Sequence, residues 1–342
     1  MLLQIVPAAD VDTRLARVLS RSAASSPEVD AAVRDILDDV RTRGDEALLD
    51  LTERFDGVRP AALRVPIDAM ERALDELDGD LREVIEVAAA NVRRFHARQV
   101  EQSWFADEPD GVILGQRIVP MERAGLYVPG GTAFYPSSLI MNAVPAQTAG
   151  VESIAIVSPP QPNGLPHPTV LATARLLGLD EVYAVGGAQA VGALAFGTET
   201  IARADVIVGP GNVYVATAKK QVYGQVAIDS VAGPSEIVVI ADEHADATHV
   251  AADLLSQAEH DARASAILLT PSQSLAERVQ SEVERLSDLL PRRDQIAPAL
   301  RDYSAAVVTD TMEDAIALSN RLAPEHLEIL TVNPWEILPR IR

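Results

Sequence analysis

The chain has 342 residues, 48% of them hydrophobic and 23% charged, enough for two domains whose cores need no help from disulfides. It carries 29 Lys and Arg against 50 Asp and Glu, a net charge of −21, which disfavours nucleic-acid phosphates and anionic membranes as partners. Its lack of cysteine removes disulfides, thiolate metal sites and a thiol nucleophile together.

The opening stretch MLLQIVPAADVDTRLARV has a short apolar run with no positive charge before it, so it does not read as a signal peptide. No apolar stretch is long enough to span a bilayer, and a cytoplasmic protein is expected. The first hundred residues read as helical. Ser26-Pro27 can start a helix that runs through AAVRDILDDVRTR and stops at Gly44, with proline in the first turn and glycine past the end. Further amphipathic patterns cover 46–55, 69–77 and 81–98 and read as a solvated helical layer.

From about Gly111 short β-branched runs alternate with Ala-rich helical stretches. The runs fall at 125–128, 153–157, 181–185, 205–208, 236–241, 265–269, 305–308 and 327–330. That alternation predicts βα units and parallel sheet covered on both faces. The Pro-rich segment PPQPNGLPHP (159–168) reads as an exposed loop. Three strands run straight into glycine: at Gly130-Gly131, at Gly186-Gly187 and at Gly209 with Gly211. Such turns bring backbone N–H groups at a helix start close to a ligand, often a phosphate, although each is also an ordinary tight βα connection. None fits GxGxxG.

Of the six histidines, His96, His167, His244 and His249 read as ordinary surface residues. Gln257 and His260 stand at i and i+3 in DLLSQAEHDA, where they can chelate a metal or simply form a polar helix end favoured by the helix dipole. Glu325 and His326 in RLAPEHLEIL precede a strand, with Pro324 fixing the turn, at a strand mouth of the kind where open α/β sheets bind ligands. They are either two acid–base groups of one cavity or a loop charge followed by a half-buried histidine.

Taken in order, 40–57, 122–151, 185–199, 208–222, 229–242, 253–261 and 323–329 resemble the histidinol dehydrogenase family over about residues 30–342. The resemblance implies an α/β fold of two incomplete Rossmann-like domains with parallel sheets, one inserted in the other, plus a helical N-terminal region. It implies an N-terminal extension over 1–19, a discontinuous first domain over 20–126 and 237–342, and an inserted NAD-binding domain over 127–236. It implies oxidation of L-histidinol through the aldehyde to L-histidine with two NAD, dependent on zinc, at the end of histidine biosynthesis, by a homodimer.

By the same resemblance, Tyr127, Gln189 and Asn212 contact NAD, and Ser235 contacts substrate. Gln257 and His260 are zinc ligands lying against the substrate. Glu325 and His326 are the catalytic acid–base pair, with His326 also touching substrate. With no cysteine to trap the aldehyde, the second oxidation passes through attack by water. The family's remaining zinc ligands, an Asp and a His, fall in a C-terminal stretch that has no counterpart before Arg342. The chain is therefore expected to be C-terminally truncated and inactive alone. A relative that oxidises another small alcohol, such as a sulfonated one, and a non-catalytic NAD-binding remnant are the competing readings.

Overall fold

Each β-branched run forms a strand, and the strands assemble into two separate parallel sheets. The computed structural model describes residues 1–19, 26–130, 135–231 and 235–342. In chain order its strands are β1 (Ile5–Pro7), β2 (Trp104–Asp107), β3 (Ile113–Gln116), β4 (Arg123–Tyr127), β5 (Ser153–Ser158), β6 (Val182–Ala184), β7 (Val206–Val208), β8 (Ala227–Ile228), β9 (Glu236–Ala241), β10 (Ser265–Thr270), β11 (Ala305–Val308) and β12 (His326–Leu330). The chain divides into two compact units, Ser25–Ala232 and Met1–Ala24 with Gly233–Arg342.

The continuous unit holds the parallel sheet β6-β5-β4-β7-β8. Successive residues of its strands feed opposite faces, as a pleated strand requires. On one face Tyr127, Val157, Tyr183 and Ile207 pack against Val33, Leu37, Leu48 and Leu51 of the helices Pro27–Arg43 and Asp45–Asp56. On the other, Leu126, Ile156 and Val182 pack against Met70, Ile85, Leu139 and Leu171. With both faces covered, these strands read as near-continuous apolar runs rather than alternating ones. Ser26 starts the first long helix as expected, its hydroxyl accepting from Val29 N at 3.3 Å.

The second unit holds the parallel sheet β1-β11-β10-β9-β12. The helices Ala247–Ala258, Gln273–Ser287 and Arg293–Tyr303 cover one face through Leu254, Val279 and Ile296. Val11, Leu15, Ala315 and Ile316 cover the other.

The continuous unit takes in residues on both sides of position 126. Residues 27–96 lie on the sheet that follows them in sequence, and the segment at 63–65 runs antiparallel beside β6, with Val65 N donating to Val182 O at 2.8 Å. Their helices are thus half-buried walls rather than a solvated layer, because each carries an apolar stripe. Two expectations of helix or loop also change, and one further element appears. Residues 5–7 form an edge strand, 104–116 form an antiparallel hairpin, and the Pro-rich 159–168 is only partly exposed, with Pro160 and Pro166 buried.

Candidate functional site

In the continuous unit β5 and β6 extend the sheet from one side of β4, and β7 and β8 from the other. The crevice at the carboxyl ends of β4 and β7 is therefore a topological switch point, where open α/β sheets bind ligands. A cavity of about 710 Å³ opens there, lined by Tyr127, Gln189 and Asn212 together with Asp35, Phe55 and Asp56.

Each of the three expected residues is placed by the glycine turns. Tyr127 ends β4 with 3% exposure, and its hydroxyl accepts from Gly187 N at 3.0 Å. Burial pushes its phenol up to about 12, against the Gly187 N–H and with the charge of Asp56. Asp56 is itself raised from the ordinary carboxylate range by burial. Gly187 has φ +64°, and a Cβ there would lie 2.5 Å from Gln189 Oε1, so the turn admits only glycine without displacing Gln189.

Gln189 is 1% exposed, and its Oε1 is buried with no hydrogen-bond partner. A buried orphan acceptor on a cavity wall is costly unless a ligand supplies a donor. Asn212 Oδ1 accepts from Tyr214 N at 3.0 Å and Val215 N at 3.2 Å, capping the helix Val213–Val222. Its amide nitrogen remains the group that can face a ligand. A dinucleotide fits these groups: the N–H donors of two helix starts, a buried amide oxygen that accepts, and a cavity of ligand size.

The other candidates gather in the second unit, at the amino edge of its sheet. The helix Ala247–Ala258 runs back against the strands and ends beside the starts of β9, β10 and β12. Gln257 lies in its last turn and is 6% exposed, while His260 stands just past the helix in an exposed turn. Ser235 immediately precedes β9, its carbonyl accepting from Ser265 N at 3.1 Å. His326 opens β12 opposite Ile237.

This edge is the opposite one from the strand mouth that the position of Pro324 suggested. His326 Nδ1 lies 3.2 Å from Glu236 O. Donation from Nδ1 to that carbonyl leaves Nε2 as the basic nitrogen. Glu325 and His326 do face each other, with Glu325 Oε2 3.7 Å from His326 Nδ1, and both are more than half exposed. His260 offers an imidazole, a usual zinc donor, and Gln257 an amide oxygen, an uncommon one. Among the described residues no group of three or more His, Cys, Asp or Glu completes such a set.

Sequence reasoning missed Asp35, Phe55 and Asp56 of the cavity wall. They come from the ends and faces of helices that read as solvent-facing, and no local pattern marks them. His167 is likewise more than a surface residue: its Nδ1 accepts from Thr169 N at 3.2 Å, and partial burial lowers its pKa. No helix among the described residues is long and apolar enough to cross a membrane.

The family model described as histidinol dehydrogenase matches residues 19–342. The histidinol dehydrogenase of Geobacillus kaustophilus is 56% identical over 311 residues, which cover 91% of this chain and 73% of the relative. That of Chlorobaculum tepidum is 50% identical over 331 residues, covering 97% of this chain and 77% of the relative. The crystal structure of histidinol dehydrogenase from Elizabethkingia anophelis superposes with a TM-score of 0.93 at 37% identity, covering 99% of this chain and 78% of that one.

Proposed function

Since this chain belongs to the histidinol dehydrogenase family of NAD-dependent oxidoreductases, we propose that it oxidises L-histidinol through the aldehyde to L-histidine, closing histidine biosynthesis, with two NAD and zinc. The observation that carries the reading is the cavity where Tyr127, Gln189 and Asn212 meet at the switch point, with the unpartnered Gln189 Oε1 on its wall. NAD held there by Tyr127, Gln189 and Asn212 would supply the hydride acceptor for both oxidations. The family also supports a homodimer working in the cytoplasm.

His326 takes the alcohol proton on Nε2 in the first oxidation, since Nδ1 is turned to Glu236 O. Glu325, next to it and solvent-facing, removes a proton from the water that adds to the aldehyde. No cysteine is present to form a thioester, so the hydrated aldehyde is the species that gives up the second hydride. Ser235 contacts the substrate at the head of β9. Gln257 and His260 would hold zinc, which when bound orients the substrate.

The test is turnover of histidinol and of supplied histidinaldehyde with NAD and zinc, for a parent version extended by the family's C-terminal stretch and for its Glu325→Gln variant. The variant should keep its affinity for NAD and lose about 10²–10⁴-fold in rate, more heavily with the aldehyde. A variant that oxidises the aldehyde at the parent rate would remove Glu325 from the role of base.

A further inference from the structure

Lys219, in the middle of the helix Val213–Val222, is 2% exposed, and a lysine that deep is kept only with partners. Its Nζ donates to Gly209 O at 3.0 Å and pairs with the carboxylate of Asp229. The second oxygen of Asp229 accepts from Gly209 N at 2.8 Å. Two opposite charges that neutralise each other thus grip the N–H and the C=O of the same residue. Gly209 has φ +118°, and a Cβ there would lie 2.2 Å from Tyr127 O. The turn is therefore pressed against the end of β4, in a conformation only glycine adopts without strain. Two residues on, Gly211 leads into Asn212, which lines the cavity and caps the helix that carries Lys219.

We propose that Lys219 and Asp229 are positioning residues for the dinucleotide, fixing the Gly209 turn so that Asn212 and the start of its helix face the cavity before the cofactor arrives. The proposal rests on the reading of that cavity as the NAD site. A glycine-rich turn left free would have to be ordered at the moment of binding, and that entropy would be subtracted from the affinity. The clamp removes the loss in advance without touching the ligand. Neither residue is needed for the proton transfers assigned to Glu325 and His326.

The experiment is NAD titration of the full chain by calorimetry, alongside thermal melting, for Lys219→Met and for Lys219→Met with Asp229→Asn. Lys219→Met should weaken NAD about tenfold, the factor carried by one lost hydrogen bond at the upper end of its range. It should also melt earlier, because Asp229 loses its partner. Adding Asp229→Asn relieves the unpaired charge, so melting should recover while NAD affinity stays low, a split that a purely structural ion pair would not produce. Parent-like affinity in the double variant would overturn the clamp and leave the cavity assignment standing. No saturable binding by the unsubstituted chain would overturn both.

Discussion

Glu328 lies two residues beyond His326 on β12, on the strand face that looks toward the helix Ala247–Ala258, and its carboxyl meets that of Asp253 on that helix. Burial first, then hydrogen bonding and repulsion from Asp253, push Glu328 up from 4.5 to about 7, against the attraction of His326. Two carboxyl groups share a hydrogen bond only when one holds a proton. Because the folded value is the higher one, the native state binds the extra proton between pH 4.5 and about 7. The stability it contributes is complete below the lower value and is lost as pH rises through the upper one. Glu328→Gln, neutral at every pH, should be the more stable protein at pH 8 by about 1 kcal/mol, a figure discounted for partial exposure, and should lose that margin by pH 5. Urea midpoints of parent and variant at the two pH values decide it, and parallel shifts of both would refute the shared proton. At this scale the family resemblance in the sequence singled out Tyr127, Gln189 and Asn212, and the structure brings these three candidates to the wall of one cavity. It was silent on Asp56 and on the Asp253–Glu328 contact, since those depend on which helix packs over which strand.

Among the elements, every strand of the two parallel sheets except β1 and β8 was legible, because burial on two faces demands unbroken apolar runs. The hairpin β2–β3 was passed over although its Asp110-Gly111 turn is a recognised signal, because its strands lie open to solvent and carry no alternation. β1 is three residues long and too short for any period. The packing of 27–96 onto the following sheet was not legible, because an apolar stripe states that a helix is covered but not by what. Ion pairs between elements were equally invisible, and one of them fixes the amino edge of the first sheet. Arg123 of β4 donates to Glu181 from Nη1 at 2.9 Å, and Tyr183 of β6 donates to the same carboxylate at 2.7 Å. The Arg123 and Glu181 side chains are 14% and 19% exposed. Arg123→Met would strand a part-buried carboxylate at a cost of about 2 kcal/mol, lowering Tm by roughly 4–8 °C. Adding Glu181→Gln should recover most of that loss. A single variant that melts with the parent would show the pair to be neutral.

For the molecule as a whole, a net charge of −21 is a standing repulsion that folding brings closer together. Raising NaCl from about 10 to 150 mM shortens the screening length from about 30 to 8 Å and should raise Tm by several degrees. A midpoint that stays flat or falls would mean that surface ion pairs, such as Arg43 with Asp50, outweigh the excess of like charge. The two-unit layout has a further consequence, for synthesis. β1 pairs with β11, Ile5 lying beside Ala306, so the early strand receives its neighbour only after the whole continuous unit has been made. At about 5–20 residues per second, a ribosome spends roughly 15–60 s between them, and the whole of Ser25–Ala232 emerges in the interval. The early strand waits unpaired while the later unit completes itself, and the acidic surface that costs stability in the finished protein is what keeps neighbouring nascent chains apart in that interval.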